Sequence, residues 1–200
     1  MLRLRRSRCL PHPNRLESQN PLWPPSFSHA VTAVALGTVY PTPPSASRFW
    51  TLSIACSILP DIDVVGHAFG VPYRSVWGHR GITHSFAFAI VLALVVVSLA
   101  FPQVGRFSLS WWSLLVYFFA VTAAHPILDA MTNGGLGVAF FAPFENSRYF
   151  LPWRPVEVSP IGVRAFFTAR GLAVLHSEFL WIWIPSAVWM AAVWLIHWGC

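Results

Sequence analysis

Histidines and aspartates recur at the ends of apolar stretches in this 200-residue chain. Leu59-Pro60-Asp61-Ile62-Asp63 is followed by His67. Gly78-His79-Arg80-Gly81-Ile82-Thr83-His84-Ser85 comes next, and then His125-Pro126-Ile127-Leu128-Asp129. His125 and Asp129 are four residues apart and share one face of a helix. Asp61 and Asp63 follow a proline, in a segment expected not to be helical. Two carboxylates so close repel unless a cation sits between them, and neutral imidazole is the commonest metal ligand. Mixed His/Asp ligation suits Zn²⁺, Mn²⁺ or Fe²⁺ better than Ca²⁺. Seven candidates (Asp61, Asp63, His67, His79, His84, His125 and Asp129) exceed one tetrahedral site and would suffice for two ions sharing a carboxylate. Two-metal sites commonly hydrolyse phosphoesters or amides. The expected cofactor is one or two divalent transition metal ions, with Asp61, Asp63, His84 and Asp129 nearest the chemistry.

Each residue also has a plainer role to be weighed. His67 could cap a helix, and His79 and His84 could bond backbone around a glycine turn. Thr83 and Ser85 read as N-caps of the next helix rather than nucleophiles. Asp129 stands near a helix C-terminus, where the macrodipole disfavours negative charge, so a functional role gains weight there. Arg80, Arg148, Arg154 and Arg164 could hold a substrate phosphate or carboxylate, or only touch lipid headgroups. Glu178 is an interfacial charge or a base behind the site. His29 alone is an interfacial histidine, and His12, His176 and His197 carry no signal.

The elements that must position these groups are membrane helices. The chain is 56% hydrophobic and only 10% charged, against about 25% charged in soluble domains. Its eleven tryptophans favour the membrane–water interface. The expected fold is an all-α, multi-pass membrane bundle. Three long transmembrane helices are expected at Phe86–Phe101, Leu109–Leu128 and Phe179–Trp198, with two short N-terminal segments at His29–Tyr40 and Phe49–Leu59. Residues 1–27, basic and proline-rich, read as a flexible tail, and 28–200 as the membrane-embedded domain. The three cysteines are far apart and suggest neither a disulfide framework nor a Cys-type zinc site.

The 13 basic residues are all arginine. They lie at the ends of apolar segments, not in a stripe with interleaved aromatics, so nucleic acid is not an expected partner; membrane lipid is. A short turn between Phe86–Phe101 and Leu109–Leu128 makes a hairpin, which brings connectors 60–85 and 129–177 to one membrane face. Arg48 and Arg106 fall on the other. Positive-inside logic places the crowded face in the cytoplasm.

The order LPDID, HRGITHS, HPILDAMTNGG and PFENSRYF resembles the YdjM family of LexA-regulated, membrane-bound, metal-dependent hydrolases. The likeness covers about residues 28–198, opening at His29-Ala-Val-Thr-Ala-Val-Ala-Leu-Gly. It implies a bacterial inner-membrane hydrolase, and implies metal-site roles for His29, Asp61, Asp63, His79, His84, His125 and Asp129. The function expected is metal-dependent hydrolysis at the cytoplasmic face, on a phosphoester or lipid-linked substrate. The alternative is a non-enzymatic membrane protein: a metal-ion transporter, or a scaffold with a polar His/Asp network.

Overall fold

The computed structural model describes residues 27–40, 42–158 and 167–198. The basic tail, including His12, lies outside the described residues, as does Arg164. The described residues form helices and loops with no strand; two isolated bridges, Thr132 with Val156 and Val138 with Tyr149, stitch one loop. The helices are α1 (Phe27–Gly37), α2 (Ala46–Ile58), α3 (Val65–Ala68), α4 (Phe86–Ala100), α5 (Leu109–Ala130), α6 (Ala169–Glu178) and α7 (Ile184–Trp198). A six-residue 3-10 stretch, Leu59–Val64, joins α2 to α3, and a π-helical turn, Phe179–Trp183, joins α6 to α7.

The expected bundle is present, with a different division of lengths. Among the described residues, three helices are long and apolar enough to cross a membrane: Ala46–Ala68, Leu109–Ala130 and Ala169–His197. The segment expected to be short and to end at Leu59 therefore continues to Ala68. Pro60 does not stop it: it stands in the first turn of the 3-10 stretch, and the Ser57 carbonyl that its missing N–H leaves without a helical partner accepts from His125 instead. The Asp pair, expected in non-helical chain, sits on this 3-10 continuation. Phe86–Ala100 joins the shorter class, and the last span begins ten residues earlier than Phe179, through the amphipathic α6.

The core lies between α1, α2, α4 and α5. Phe49, Val97, Phe101, Leu114, Phe118 and Val121 are buried together. Phe49 stacks on Tyr117, whose hydroxyl shares a 2.7 Å hydrogen bond with Ser53. At the far end Arg48 Nη1 donates to the Ala100 carbonyl at 2.6 Å, and the Tyr40 and Ser113 hydroxyls bond at 2.8 Å. That end gathers the start of α2 and the close of α1 and α4. The opposite end gathers the start of α1, the 3-10 stretch, the start of α4 and the end of α5. The last span buries only 17% of its apolar window, leaving Trp181, Trp189, Trp194 and Leu195 exposed for lipid.

Candidate metal centre

Four donors from three parts of the chain converge at the second end. The 3-10 stretch offers Asp61, the turn before α4 offers His84, and the last two turns of α5 offer His125 and Asp129. All four are buried. His84 Nε2 lies 3.1 Å from His125 Nε2 and 3.2 Å from Asp129 Oδ2. His125 Nε2 lies 3.3 Å from Asp61 Oδ1 and 3.8 Å from Asp129 Oδ2, and His84 Nε2 lies 3.7 Å from Asp61 Oδ1. A tetrahedral ion with bonds of about 2.0–2.1 Å has ligand–ligand edges of about 3.4 Å. These five edges bracket that value.

The hydrogen bonds say what the converging atoms present. His125 Nδ1 donates to the Ser57 carbonyl at 2.7 Å, since a carbonyl can only accept. His84 Nδ1 faces Asp63 Oδ2 at 3.1 Å and the Thr83 hydroxyl at 3.1 Å. With both Nδ1 atoms as donors, each neutral ring turns a bare Nε2 lone pair toward the other. Two lone pairs at 3.1 Å repel unless a cation lies beside them. Asp129 Oδ2 adds to the demand: it is buried, and Arg80 Nε approaches to 3.1 Å without hydrogen-bond geometry, so the oxygen has no hydrogen-bond partner. Burial alone would lower the pKa of His84, but Asp129, Asp61 and Asp63 hold it well above the ordinary value. The site thus calls for a positive charge at Nε2, from a proton or a metal ion, and the donor set fits a divalent transition metal.

Asp63 stands behind this group. Its Oδ1 accepts from His79 Nδ1 at 2.7 Å, and its Oδ2 accepts from the Arg80 backbone N–H at 3.1 Å and the Thr83 hydroxyl at 2.6 Å. The Asp63–His84 pair has the arrangement in which a carboxylate fixes the tautomer of a ligating imidazole. Asp63, His79 and His84 also offer a second cluster of donors that shares His84 with the first. His29 borders the centre: its ring stacks on His125 with centroids 3.7 Å apart, and its Nε2 is 3.9 Å from Asp129 Oδ1. His67 is in neither donor cluster. Its Nδ1 pairs with the Val71 carbonyl at 3.2 Å and its ring stacks on Tyr73. Glu178 is buried under α1, where it accepts from the Ser28 hydroxyl at 2.7 Å.

The arginines expected as substrate contacts have other partners here. Arg80 is buried, with Nη2 3.3 Å from Asp129 Oδ1 and Nη1 donating to Thr132 and to the Gly134 carbonyl. Its φ of 61° lies in the left-handed region, a cost of about 1–2 kcal/mol for a residue with a Cβ; the buried ion pair holds it there. Arg148 donates to five backbone carbonyls, those of Tyr73, Ser75, His79, Arg80 and Gly137. Arg154 lies over the Phe150 ring, 4.8 Å from its centroid. Gly81 shows why the HRG turn needs glycine: a Cβ there would collide with the Val76 and Gly78 carbonyls. Ser85 caps α4 as expected, accepting from the Phe88 N–H at 3.1 Å, whereas Thr83 turns to Asp63 instead. Sequence reasoning did not reach the Ser57 carbonyl or the carbonyl-binding role of Arg148. The first is a backbone atom with no side-chain signature, and the second lies in PFENSRYF without an acid in sequence reach.

The comparisons with known proteins agree with this architecture. The family model described as YdjM inner membrane protein matches residues 25–199. Inner membrane protein YbcI of Escherichia coli (strain K12) is 32% identical over 171 residues, covering 86% of this chain and 97% of that protein. No solved structure matches. With three apolar spans and a match over nearly its whole length, this chain is an inner-membrane protein that belongs to the YdjM inner membrane protein family.

Proposed function

We propose that the protein is a metal-dependent hydrolase acting at the cytoplasmic face of the inner membrane. The observation that carries this reading is the set of four buried donors spaced as the edges of a tetrahedron around two facing imidazole lone pairs. Asp61, His84, His125 and Asp129 would hold the ion, Zn²⁺ or Mn²⁺ by donor type. A bound divalent ion supplies Lewis acidity and lowers the pKa of water toward neutrality, the chemistry of phosphoester hydrolysis. Asp63 orients His84 and is placed with His79 to accept or pass on a proton at Oδ1, 2.7 Å from Nδ1. Arg80 fixes Asp129. A lipid-linked or soluble phosphoester is the substrate class proposed, a choice supported by Asp61, His125 and Asp129 lying toward the ends of two apolar spans.

The test is turnover of bis(p-nitrophenyl) phosphate and dihexanoyl phosphatidic acid by the metal-loaded, detergent-purified protein. Hydrolysis should fall at least a hundredfold in Asp63→Ala, with membrane insertion unchanged. Equal turnover in wild type and variant sinks the reading. The cytoplasmic placement rests on Arg74, Arg80, Arg148 and Arg154 at the site end against Arg48 and Arg106 at the other. In intact spheroplasts, Trp77→Cys on the exposed site-end loop should resist a membrane-impermeant maleimide; rapid labelling reverses the topology.

One observation favours a second reading, a metal-ion transporter. Asp61 and Asp63 lie where a span changes from α to 3-10 geometry, and transporters bind ions on such interrupted helices. Zinc accumulation in proteoliposomes, abolished by Asp61→Ala, would select it.

A further inference from the structure

Beside the metal centre, Arg74, Leu136, Asn146 and Arg148 line an open cavity of about 330 Å³, at the small end of the range for ligand sites. Its two guanidinium groups share this space with no carboxylate on the lining. Glu145, the nearest acid in sequence, is not on the lining and accepts from the Tyr149 hydroxyl at 2.7 Å. Arg74 is exposed and has no acidic partner among the described residues. Burial lowers the pKa of the Arg148 guanidinium; Tyr73 and Asp63 oppose it, and Arg80 and then Arg74 add smaller lowering contributions. Like charges gathered in this way are a cost to the free protein and an asset only when an anion arrives.

The cavity is also rigidly tied to the candidate metal centre. The Arg148 group that lines it holds the His79 carbonyl at 3.0 Å and the Arg80 carbonyl at 3.2 Å. Its guanidinium stands over Tyr73, 5.4 Å from the ring centroid, and the Tyr73 ring packs edge-on against His79. Five carbonyls fix Arg148, so its charge is pre-organised and little entropy is lost when a ligand meets it. Arg74 and the Asn146 amide bring exposed donors, and exposed Trp77 and Phe144 from the same two loops supply apolar surface. An anionic group with an apolar tail matches this combination of surfaces.

We propose that this cavity is an anion subsite for a phosphate group of the substrate, with Arg74 and Asn146 as the contacting residues and Arg148 as the fixed charge behind them. The inference rests on the hydrolase reading for its setting, and it names a recognition element that reading lacks. Phosphate chemistry could come from a lipid headgroup or from a free phosphate, and the probes separate the two.

The experiment measures thermal stabilisation of the metal-loaded, detergent-purified full chain by inorganic phosphate, dihexanoyl phosphatidic acid and dihexanoyl phosphatidylcholine, with metal content assayed on the same samples. Arg74→Gln and Asn146→Ala are compared with Arg154→Gln, an exposed arginine outside the lining. Arg74→Gln should weaken half-saturation by phosphatidic acid roughly tenfold, the loss of one or two charge-assisted hydrogen bonds, with metal content unchanged and Arg154→Gln like wild type. Response to phosphatidic acid alone identifies a headgroup; an equal response to inorganic phosphate identifies a free anion. Metal present with no phosphate response, or an equal loss in Arg154→Gln, overturns the subsite and leaves the hydrolase reading standing. Absence of metal from wild type after reconstitution with Zn²⁺ and Mn²⁺ overturns both.

Discussion

Purified protein carries one or two equivalents of a transition metal, and the double variant Asp61→Ala/His84→Ala carries none: that is the expected result of elemental mass spectrometry on the detergent-solubilised chain. The expected loss is complete because the double change removes two of four ligands and leaves His125 and Asp129 3.8 Å apart on one helix. A graded series should separate ligands from supports. Asp63→Asn keeps the bond from the Thr83 hydroxyl but weakens the hold on His84 Nδ1. Outer-shell changes of this kind cost about 10- to 100-fold in metal affinity, so Asp63→Asn should retain metal at saturating concentration and lose it on dialysis. If Asp63→Asn and Asp61→Ala behave identically, Asp63 is a ligand and the second donor cluster, with His79, is occupied too. If neither wild type nor variant takes up metal after reconstitution, the convergence is a satisfied polar network and the hydrolase reading is discarded.

Arg80→Ala is the second large effect. The buried guanidinium lies against both oxygens of Asp129, 3.1 Å and 3.3 Å away, and reaches Thr132 and Gly134 as well. Removing one partner of a buried pair leaves an uncompensated charge, at about 3–5 kcal/mol. For a chain of this length that is a fall of roughly 10 °C in the thermal midpoint. Relief of the positive φ does not offset it, since alanine suffers the same strain. The double variant Arg80→Ala/Asp129→Asn should recover much of the stability and none of the metal. A single variant as stable as wild type would show that Asp129 is neutralised by other means, with the bound ion as the first candidate.

Much of this arrangement is legible in the sequence. A low charge content and long apolar runs dictate a bundle. The short turn after Phe101 dictates a hairpin, and the hairpin dictates that residues 60–85 and 129–177 meet. The i, i+4 spacing of His125 and Asp129 is visible because helix geometry is local. What is not legible is partner choice. Asp61 and Asp63 look equivalent in LPDID, yet one faces His84 and His125 while the other collects His79, Thr83 and a backbone N–H. A turn of the 3-10 stretch decides between them, and Pro60 argued against any helix there. Arg80 looks like a substrate arm because nothing local reveals that Asp129, in another element, is within its reach. Arg148 looks the same, although its acceptors are five carbonyls that no side-chain pattern encodes.

The Ser57 carbonyl that receives His125 Nδ1 stands just before the α-to-3-10 change in its span. In an uninterrupted α-helix that oxygen would accept the N–H four residues on, which belongs to Asp61. In the tighter winding it would instead face the residue three on, which is Pro60 and has no N–H, so the Ser57 oxygen is left to hold the imidazole. Helix pitch and donor orientation therefore draw on the same atom. Rewinding this turn to α would reclaim the oxygen, swing Asp61 about the helix axis and unlatch His125 together. In the metal-dependent reading proposed above, opening of the donor shell would be a change in winding within one transmembrane span, so a bilayer that strains that span would shorten the stay of a bound ion.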